Sequence, residues 1–385
     1  MYDPSPHGIP AAYDDLTSYV AALEEWLRSA PQELQDAVAS AGTATDNRIS
    51  SLRALMGRLY DEGWSRYGWP VEVGGLGGTV LHRAVMWEAL ARHSVPGMAA
   101  FEHLEILGPS LVALGPPEFV ASVFPHFLDG SELWAQGFSE SEAGSDLAAL
   151  RTRAVPQGDG YLVTGQKIWT SWAGHARWCL VLARTGTTES RHRGITALAV
   201  DLRSPGVEVR SLGQADGNYE LSEVFFDDAF VPSDHIIGGA DGGWGVAMHI
   251  LGNERGNFAW FRQGFLRQAL VNHLPLASPS AVRGLGDAIL DLACVGVAGY
   301  AALVASDQGE RVGPRAAFAK ILLTTAEQSL YDWVLSVDPD LAIDPADALS
   351  AEARQGYLFS RIVTIYGGSL QMQLDTIAKH VLQLP

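Results

Sequence analysis

Cysteine is nearly absent from this chain of 385 residues: only Cys179 and Cys294 occur, each among apolar neighbours. Two thiols so placed form neither a disulfide framework nor a zinc-ligand set, and both read as small core residues in a reducing compartment. No metal site is expected. Basic residues are also scarce, 26 against 44 acidic ones, for a formal charge of −18. A field of that sign repels phosphate backbones, so nucleic acid is excluded as a partner. An anionic small molecule would need its own pocket of amides or local cations. Long apolar runs are missing too: nothing approaches the about 20 uninterrupted residues of a membrane span, and no apolar leader stands at the N-terminus. A cytoplasmic protein is expected. Repeats and low-complexity tracts are lacking, and with 47% hydrophobic residues there is ample material for a buried core.

What is present divides the chain into three textures. Over residues 1–131 the apolar positions follow helical spacing. Leu16, Tyr19, Val20, Leu23 and Leu27 stand behind the start signals Asp14 and Asp15, and Leu52, Leu55, Met56 and Leu59 are stopped by Gly63. The glycine-rich string GWPVEVGGLGGT, residues 68–79, lacks the Lys-Ser/Thr and the βαβ frame of a phosphate loop, and reads as a structural turn. From 132 to 232 the pattern is one of short strands. RAVPQGDGYLVTG is a hairpin about Gly158-Asp159-Gly160, and ARWCLVLART alternates between two faces. From 233 to 385 helices return, with a Pro-rich loop from Leu274 to Ser280. Helices, then a β layer, then helices is an α+β plan and not a doubly wound sheet.

One segment carries a charge where packing asks for none. In GWGVAMHILGNERGNFAWFRQGF, Ala247, Leu251, Glu254, Phe258, Phe261 and Phe265 recur at alternating steps of four and three, on one face of one helix. Five are apolar and the sixth is a carboxylate, which is costly to bury unless paired or neutral. Periodicity leaves two accounts open. One is a structural ion pair with Arg262 or a more distant Arg; the other is a general base whose pKa an apolar pocket raises. A second segment reads LWAQGFSESEAGSDLAALRTRAV and then GYLVTGQKIWTSWAGHARWCLVLART. Gly144-Ser145-Asp146 frees backbone amides and Trp169-Thr170-Ser171 ends a hairpin, a set suited to a wide, flat, polar-edged ring.

These segments resemble the acyl-CoA dehydrogenase family. Phe138-Ser139-Glu140-Ser141-Glu142-Ala143-Gly144-Ser145-Asp146 is similar to the family string F-T/S-E-P-G-A-G-S-D. GWP-x-E-x-GGLG is similar to a turn in many members, and YGGSLQMQLDTIAKHVLQLP to the family's ending Y-G-G-T-S-E-I-Q-x-x-I-I-A-x-x-V-L-G-L-P. The likeness runs from Trp69 to Pro385. It implies a helical N-terminal domain (1–131), a central β-barrel or sandwich domain (132–232) and a C-terminal four-helix bundle (233–385). It also implies FAD as cofactor and an acyl-CoA thioester as substrate.

In that family a carboxylate removes the α-proton while flavin N5 takes hydride from the β-carbon, and the carboxylate occupies one of two positions. Where medium- and short-chain members read I-Y-E-G-T, this chain has Ile365-Tyr366-Gly367-Gly368-Ser369. Where long-chain and isovaleryl members carry L-x-x-E-R on a helix, it has Leu251-Gly252-Asn253-Glu254-Arg255. The resemblance therefore assigns Glu254 as the base, and the Gly367 amide as a donor to the thioester carbonyl. It further implies flavin contacts from Gln136, Phe138, Ser139, Ser145, Trp169, Thr170, Ser171, Ser369 and Gln371, and substrate contacts from Ser145, Arg255 and Tyr366.

Two departures stand out. Ser141 and Glu142 replace Pro and Gly, which adds bulk to a loop that is usually tight. The R-x-x-F-G signature that reaches a neighbouring subunit's flavin is missing after Phe265, which leaves the adenine's support unassigned. The pattern resembles actinobacterial members that handle steroid side chains or other bulky CoA esters, some of which pair a competent subunit with a degenerate one. The resemblance implies an electron-transfer flavoprotein as electron acceptor, and assembly as a homodimer, a tetramer or a heteromer. Trp260, Phe261 and Phe265 are the apolar residues available for such contacts. Two alternatives stay open: a non-catalytic partner subunit, and a flavin oxidase or monooxygenase on the same fold.

Overall fold

The computed structural model describes residues 15–97, 99–310, 313–337, 339–342 and 348–384; the start signal Asp14 lies outside them. Six helices come first: α1 (Leu16–Arg28), α2 (Gln32–Ala39), α3 (Thr45–Asp61), α4 (Val80–Arg92), α5 (Ala99–Leu114) and α6 (Pro117–Leu128). Asp15 caps α1 by accepting from the amides of Thr17 and Ser18, which satisfies two of the donors a helix start leaves open. Tyr19, Leu23 and Leu27 of α1 and Leu52, Leu55, Met56 and Leu59 of α3 are buried in one core, as helical spacing predicts. The string at 68–79 is a packed turn. Gly68 N donates to Gly77 O at 2.6 Å and Gly77 N to Trp69 O at 2.9 Å. A side chain on Gly75 would start 2.1 Å from Trp69 O, so only glycine closes this turn.

The β layer holds β1 (Leu133–Gly137), β2 (Arg153–Gln157), β3 (Gly160–Ser171), β4 (Ala176–Arg184), β5 (Ile195–Asp201), β6 (Val207–Leu212), β7 (Leu221–Pro232) and β8 (Ile236–Ile237). They form one sheet in the order β6-β7-β3-β2-β4-β5-β8, with β1 parallel to β4. β2 and β3 pair antiparallel up to Gln157 opposite Gly160, and Gly158 takes the positive φ the tight turn needs. β4 departs from a half-exposed pattern: Trp178 through Arg184 are all buried. Trp178, Leu180 and Leu182 join a core shared with the helices, while Cys179, Val181 and Ala183 join the core inside the sheet. Its alternation is between two cores, because this strand is covered on both faces.

Helices return with α7 (Gly243–Arg255), α8 (Asn257–His273), α9 (Val282–Asp307), α10 (Ala316–Val337), α11 (Ala348–Ser360) and α12 (Leu370–Thr376). Together with the helical start and the sheet, they make the α+β fold. α8, α9, α10 and α11 pack in sequence against one another. The stretch predicted as one helix breaks at Gly256, whose φ −99°, ψ −93° is outside helical geometry. The stripe survives the break: Ala247, Glu254, Phe258, Phe261 and Phe265 are buried and Leu251 is half-buried.

The apolar surplus lies elsewhere than the sequence suggests. Phe261 and Phe265 are taken up by the N-terminal helices' core, and Trp260 packs on Gly299 and Tyr300. The uncovered face is on α9, where Ile289, Leu290, Val297 and Tyr300 are exposed, Val297 to 73%. Cys294, expected in the core, is exposed with them, because its apolar neighbours belong to this outward face. The span 279–307 is long and apolar enough, by length and composition, to cross a membrane. Asp287 and Asp291 interrupt its apolar run, and its other face packs on α8 and α10.

Candidate active site

Glu254 ends α7 and is 6% exposed, and its Oε2 is buried without a hydrogen-bond partner. Burial raises its pKa; the charges of Lys320 and Arg255 offset part of that. Space for the carboxylate comes from the far end of the chain. Gly367, at φ +64°, lies so close that a Cβ there would sit 2.5 Å from Glu254 Oε1. A side chain at 367 would therefore displace the carboxylate at 254 from this position, which gives the filled and empty positions a steric reason.

The Gly367 turn is fastened from two sides. Arg255 Nε donates to Gly367 O at 2.8 Å, and Gln373 Nε2 donates to Gly367 O at 3.2 Å and Gly368 O at 2.8 Å. Lys320 of α10 is 2% exposed, with Nζ 3.6 Å from the Tyr366 ring centroid. Burial brings its pKa down to about 8, against the pull of Glu254 and Glu327. Arg262, one partner the sequence left open for Glu254, is spent on Glu327 at 2.8 Å and Glu102 at 3.4 Å.

The end of the β3–β4 hairpin forms the second group. Pairing of β3 with β7 shifts register between Lys167 and Thr170. This bulge turns Trp169 outward at φ +58°, leaving its indole 59% exposed. Thr170 on β3 and Ser222 opposite it on β7 are fully buried, yet neither hydroxyl has a hydrogen-bond partner. Ser171 is half-buried beside them. The exposed indole of Trp169 and the half-buried Ser171 hydroxyl fit the flat body and polar edge of a flavin ring.

A buried pair holds the neighbouring loop. Lys167 Nζ donates to Phe138 O at 3.1 Å and to Glu140 Oε1 at 2.7 Å. Glu140 also accepts from the amides of Arg151 at 2.6 Å and Thr152 at 2.9 Å. Burial pushes the Glu140 carboxyl up, but Lys167 and the two amides outweigh it and the net shift is downward. Ser139 O accepts from Ile168 N at 3.0 Å, which keeps Phe138 and Ser139 beside β3, while Gln136 is half-buried on β1. The loop stays tight despite its bulkier residues: Glu140 and Ala143 exchange both backbone bonds, and Ser141 and Glu142 point to solvent.

Ser145 is exposed, next to an Asp146–Arg191 pair at 3.0 Å. Ser369 caps α12 by accepting from Met372 N at 3.4 Å, and Gln371 is exposed on that helix. Sequence reasoning missed Lys167, Ser222, Lys320 and Gln373. The two lysines did leave a signal, a lone cation in an otherwise apolar strand or helix (GQKIW, AAFAKILL).

Acyl-CoA dehydrogenase N-terminal, middle and C-terminal domain descriptions match residues 18–131, 135–229 and 241–382. The chain belongs to the acyl-CoA dehydrogenase family, whose members are FAD-dependent oxidoreductases. Among its relatives, acyl-CoA dehydrogenase IpdE1 of Mycobacterium tuberculosis is 37% identical over 339 residues, covering 86% of this chain and 88% of that protein. IpdE1 of Mycolicibacterium smegmatis is 35% identical over 391 residues, covering 96% and 98%. Among solved structures, the Tcur3481-Tcur3483 steroid ACAD superposes with a TM-score of 0.81 at 22% identity, over 100% of both chains, a likeness of fold.

Proposed function

We propose that this chain is an α,β-desaturase of acyl-CoA thioesters, with Glu254 as the base that takes the α-proton. The observation that carries this reading is a carboxylate both buried and unspent. Glu254 has an oxygen without a partner and a raised pKa, and its nearest basic neighbours are fastened to other groups. A raised pKa strengthens a base that must work near neutral pH, and the positive charge of Lys320 limits the rise so that the ionised form stays accessible.

FAD, when bound, supplies the hydride acceptor for the β-carbon. Trp169 would offer the ring a face, with Thr170 and Ser171 bonding its edge, and Gln136, Phe138 and Ser139 lining its other side. Ser145 would stand by the pyrophosphate or the pantetheine arm, and Ser369 and Gln371 would add contacts from the C-terminal end. The amide of Gly367 would donate to the thioester carbonyl, with Arg255 and Gln373 holding that turn in place and Tyr366 beside it. A preformed donor of this kind stabilises the enolate that forms as the proton leaves. The same reading takes 1–131, 132–232 and 233–385 as the three domains, and an electron-transfer flavoprotein as the acceptor in a cytoplasmic setting. The exposed face of α9 supports a dimer, a tetramer or a heteromeric assembly, and the likeness to a two-component steroid ACAD supports the heteromer and a bulky acyl group.

The test is anaerobic bleaching of the bound flavin by a panel of acyl-CoA esters. The wild type is expected to bleach, and Glu254→Gln to be slower by about 10³-fold. Bleaching by no ester, or an unimpaired Glu254→Gln, overturns the reading. Rapid reoxidation of the reduced flavin in air would favour the oxidase alternative.

A further inference from the structure

A cavity of about 100 Å³ lies where the three parts of the chain meet, between α3, the β6–β7 loop and helices α8, α10 and α11. One wall is continuous with the flavin-facing hairpin. Glu220 immediately precedes β7, its carbonyl accepts from Trp172 N at 2.6 Å, and Ser222 is two residues on. The opposite wall carries Arg262 of α8, the helix that follows Glu254 across the Gly256 break. The cavity is thus bounded by segments that run on from the hairpin end and from the helix of the base.

Its lining is polar in a particular way. Arg262 is saturated by Glu327 and Glu102. Arg48 is not: it is 9% exposed, and neither Nε nor Nη2 makes a hydrogen bond. Its nearest carboxylate oxygen, Glu220 Oε1, is 3.9 Å from Nη2, too far for one. Glu220 and Glu352 also line the cavity, and burial raises the pKa of both, that of Glu220 to about 7. A buried guanidinium with unspent donors asks for an acceptor oxygen. Two acids whose ionisation is already disfavoured, with Asp216 alongside, make a further negative charge unwelcome. A neutral oxygen meets both conditions.

We infer that this cavity is a specificity subsite in which Arg48 receives a neutral carbonyl or hydroxyl oxygen at the distal end of the acyl group. This rests on the reading of Glu254 and the hairpin end as the reacting end of the site. The preferred substrates are therefore oxygen-bearing acyl-CoA esters, and plain hydrocarbon chains leave the Arg48 donors unsatisfied.

The test is a length series of saturated acyl-CoA esters, each with its (ω−1)-oxo and ω-carboxyl counterpart, on the FAD-loaded protein. Turnover is measured in the wild type, and binding by calorimetry in Glu254→Gln, where the reaction is blocked. At the matching length the oxo ester is expected to exceed the plain one roughly tenfold or more in kcat/KM and in affinity. In Arg48→Met that ratio falls to about one, while Arg48→Lys, which keeps the charge, retains part of it. Turnover without an oxo preference at any length, or a preference for the carboxyl ester, overturns the subsite and leaves the dehydrogenase reading standing. Binding with the oxo preference but no turnover in the wild type overturns the dehydrogenase reading and leaves the subsite. Absence of binding by every ester overturns both.

Discussion

Two carboxylates, the half-buried Glu140 and the buried Glu254, each share their surroundings with a buried lysine, and they are held in opposite ways. Glu140 receives Lys167 directly at 2.7 Å and two backbone amides, and its pKa is pulled down. Glu254 has Lys320 as an electrostatic neighbour only; the ammonium lies over the Tyr366 ring, Oε2 is unpartnered, and the pKa goes up. Burial acts on both in the same sense. The difference is whether the hydrogen bonds that favour the ionised form are supplied. A satisfied charge fixes a loop; an unsatisfied one is available to take a proton.

The comparison can be broken most directly at Glu254. Glu254→Gln should cost about 10³ in turnover while leaving the fold intact. Its stability should also lose a pH dependence. A group whose folded pKa is raised contributes stability that is present below its unfolded value and lost as pH rises through the folded one, so denaturation from pH 5 to 9 should be flatter in the variant. A steeper profile would contradict the assignment.

Lys167→Met should show the reverse. It strands Glu140 in a half-buried site and is expected to cost about 3–5 kcal/mol in urea unfolding of the FAD-saturated protein. A Lys167→Met protein of wild-type stability would show that the pair does not hold the loop.

Gly367→Ala tests the exclusion between the two positions. The added Cβ meets Glu254 Oε1 at 2.5 Å and the backbone has φ +64°, so a loss of about 1–3 kcal/mol is expected. Removing the opposing side chain in Glu254→Gly/Gly367→Ala should relieve the steric part, read as a coupling in a double-mutant cycle. Strict additivity would mean the two do not touch.

Lys320→Met should give the smallest effect. Loss of its charge removes a stabiliser of ionised Glu254, so the acid limb of the kcat profile should move to higher pH. A shift to lower pH, or none, would remove Lys320 from the description of the base.

Local signals carried furthest. The Asp15 cap, the α1 and α3 stripes, the Gly158 turn and the run from Ala247 to Phe265 all depend on neighbours within a few residues, and all were legible. The break at Gly256 was not, because a stripe that continues across a kink has the same spacing as one on a straight helix. Cys294 was misjudged for a related reason, and the alternation of β4 held while its cover on both faces stayed hidden. An apolar neighbourhood in sequence shows hydrophobicity, and only packing shows whether a face meets a second core or stands open.

By itself the sequence determined which residue types line each element and that one carboxylate lies on an apolar helix face. It also determined that the alternative position near the C-terminus has no side chain. The tertiary structure decided what those facts amount to. It brought Gly367 against Glu254 across more than a hundred residues, spent Arg262 on Glu102 and Glu327, and left Arg48 facing a cavity with its donors unused. Charge and burial become chemistry only through the partners that folding supplies or withholds, and those partners come from distant segments that no local spacing encodes.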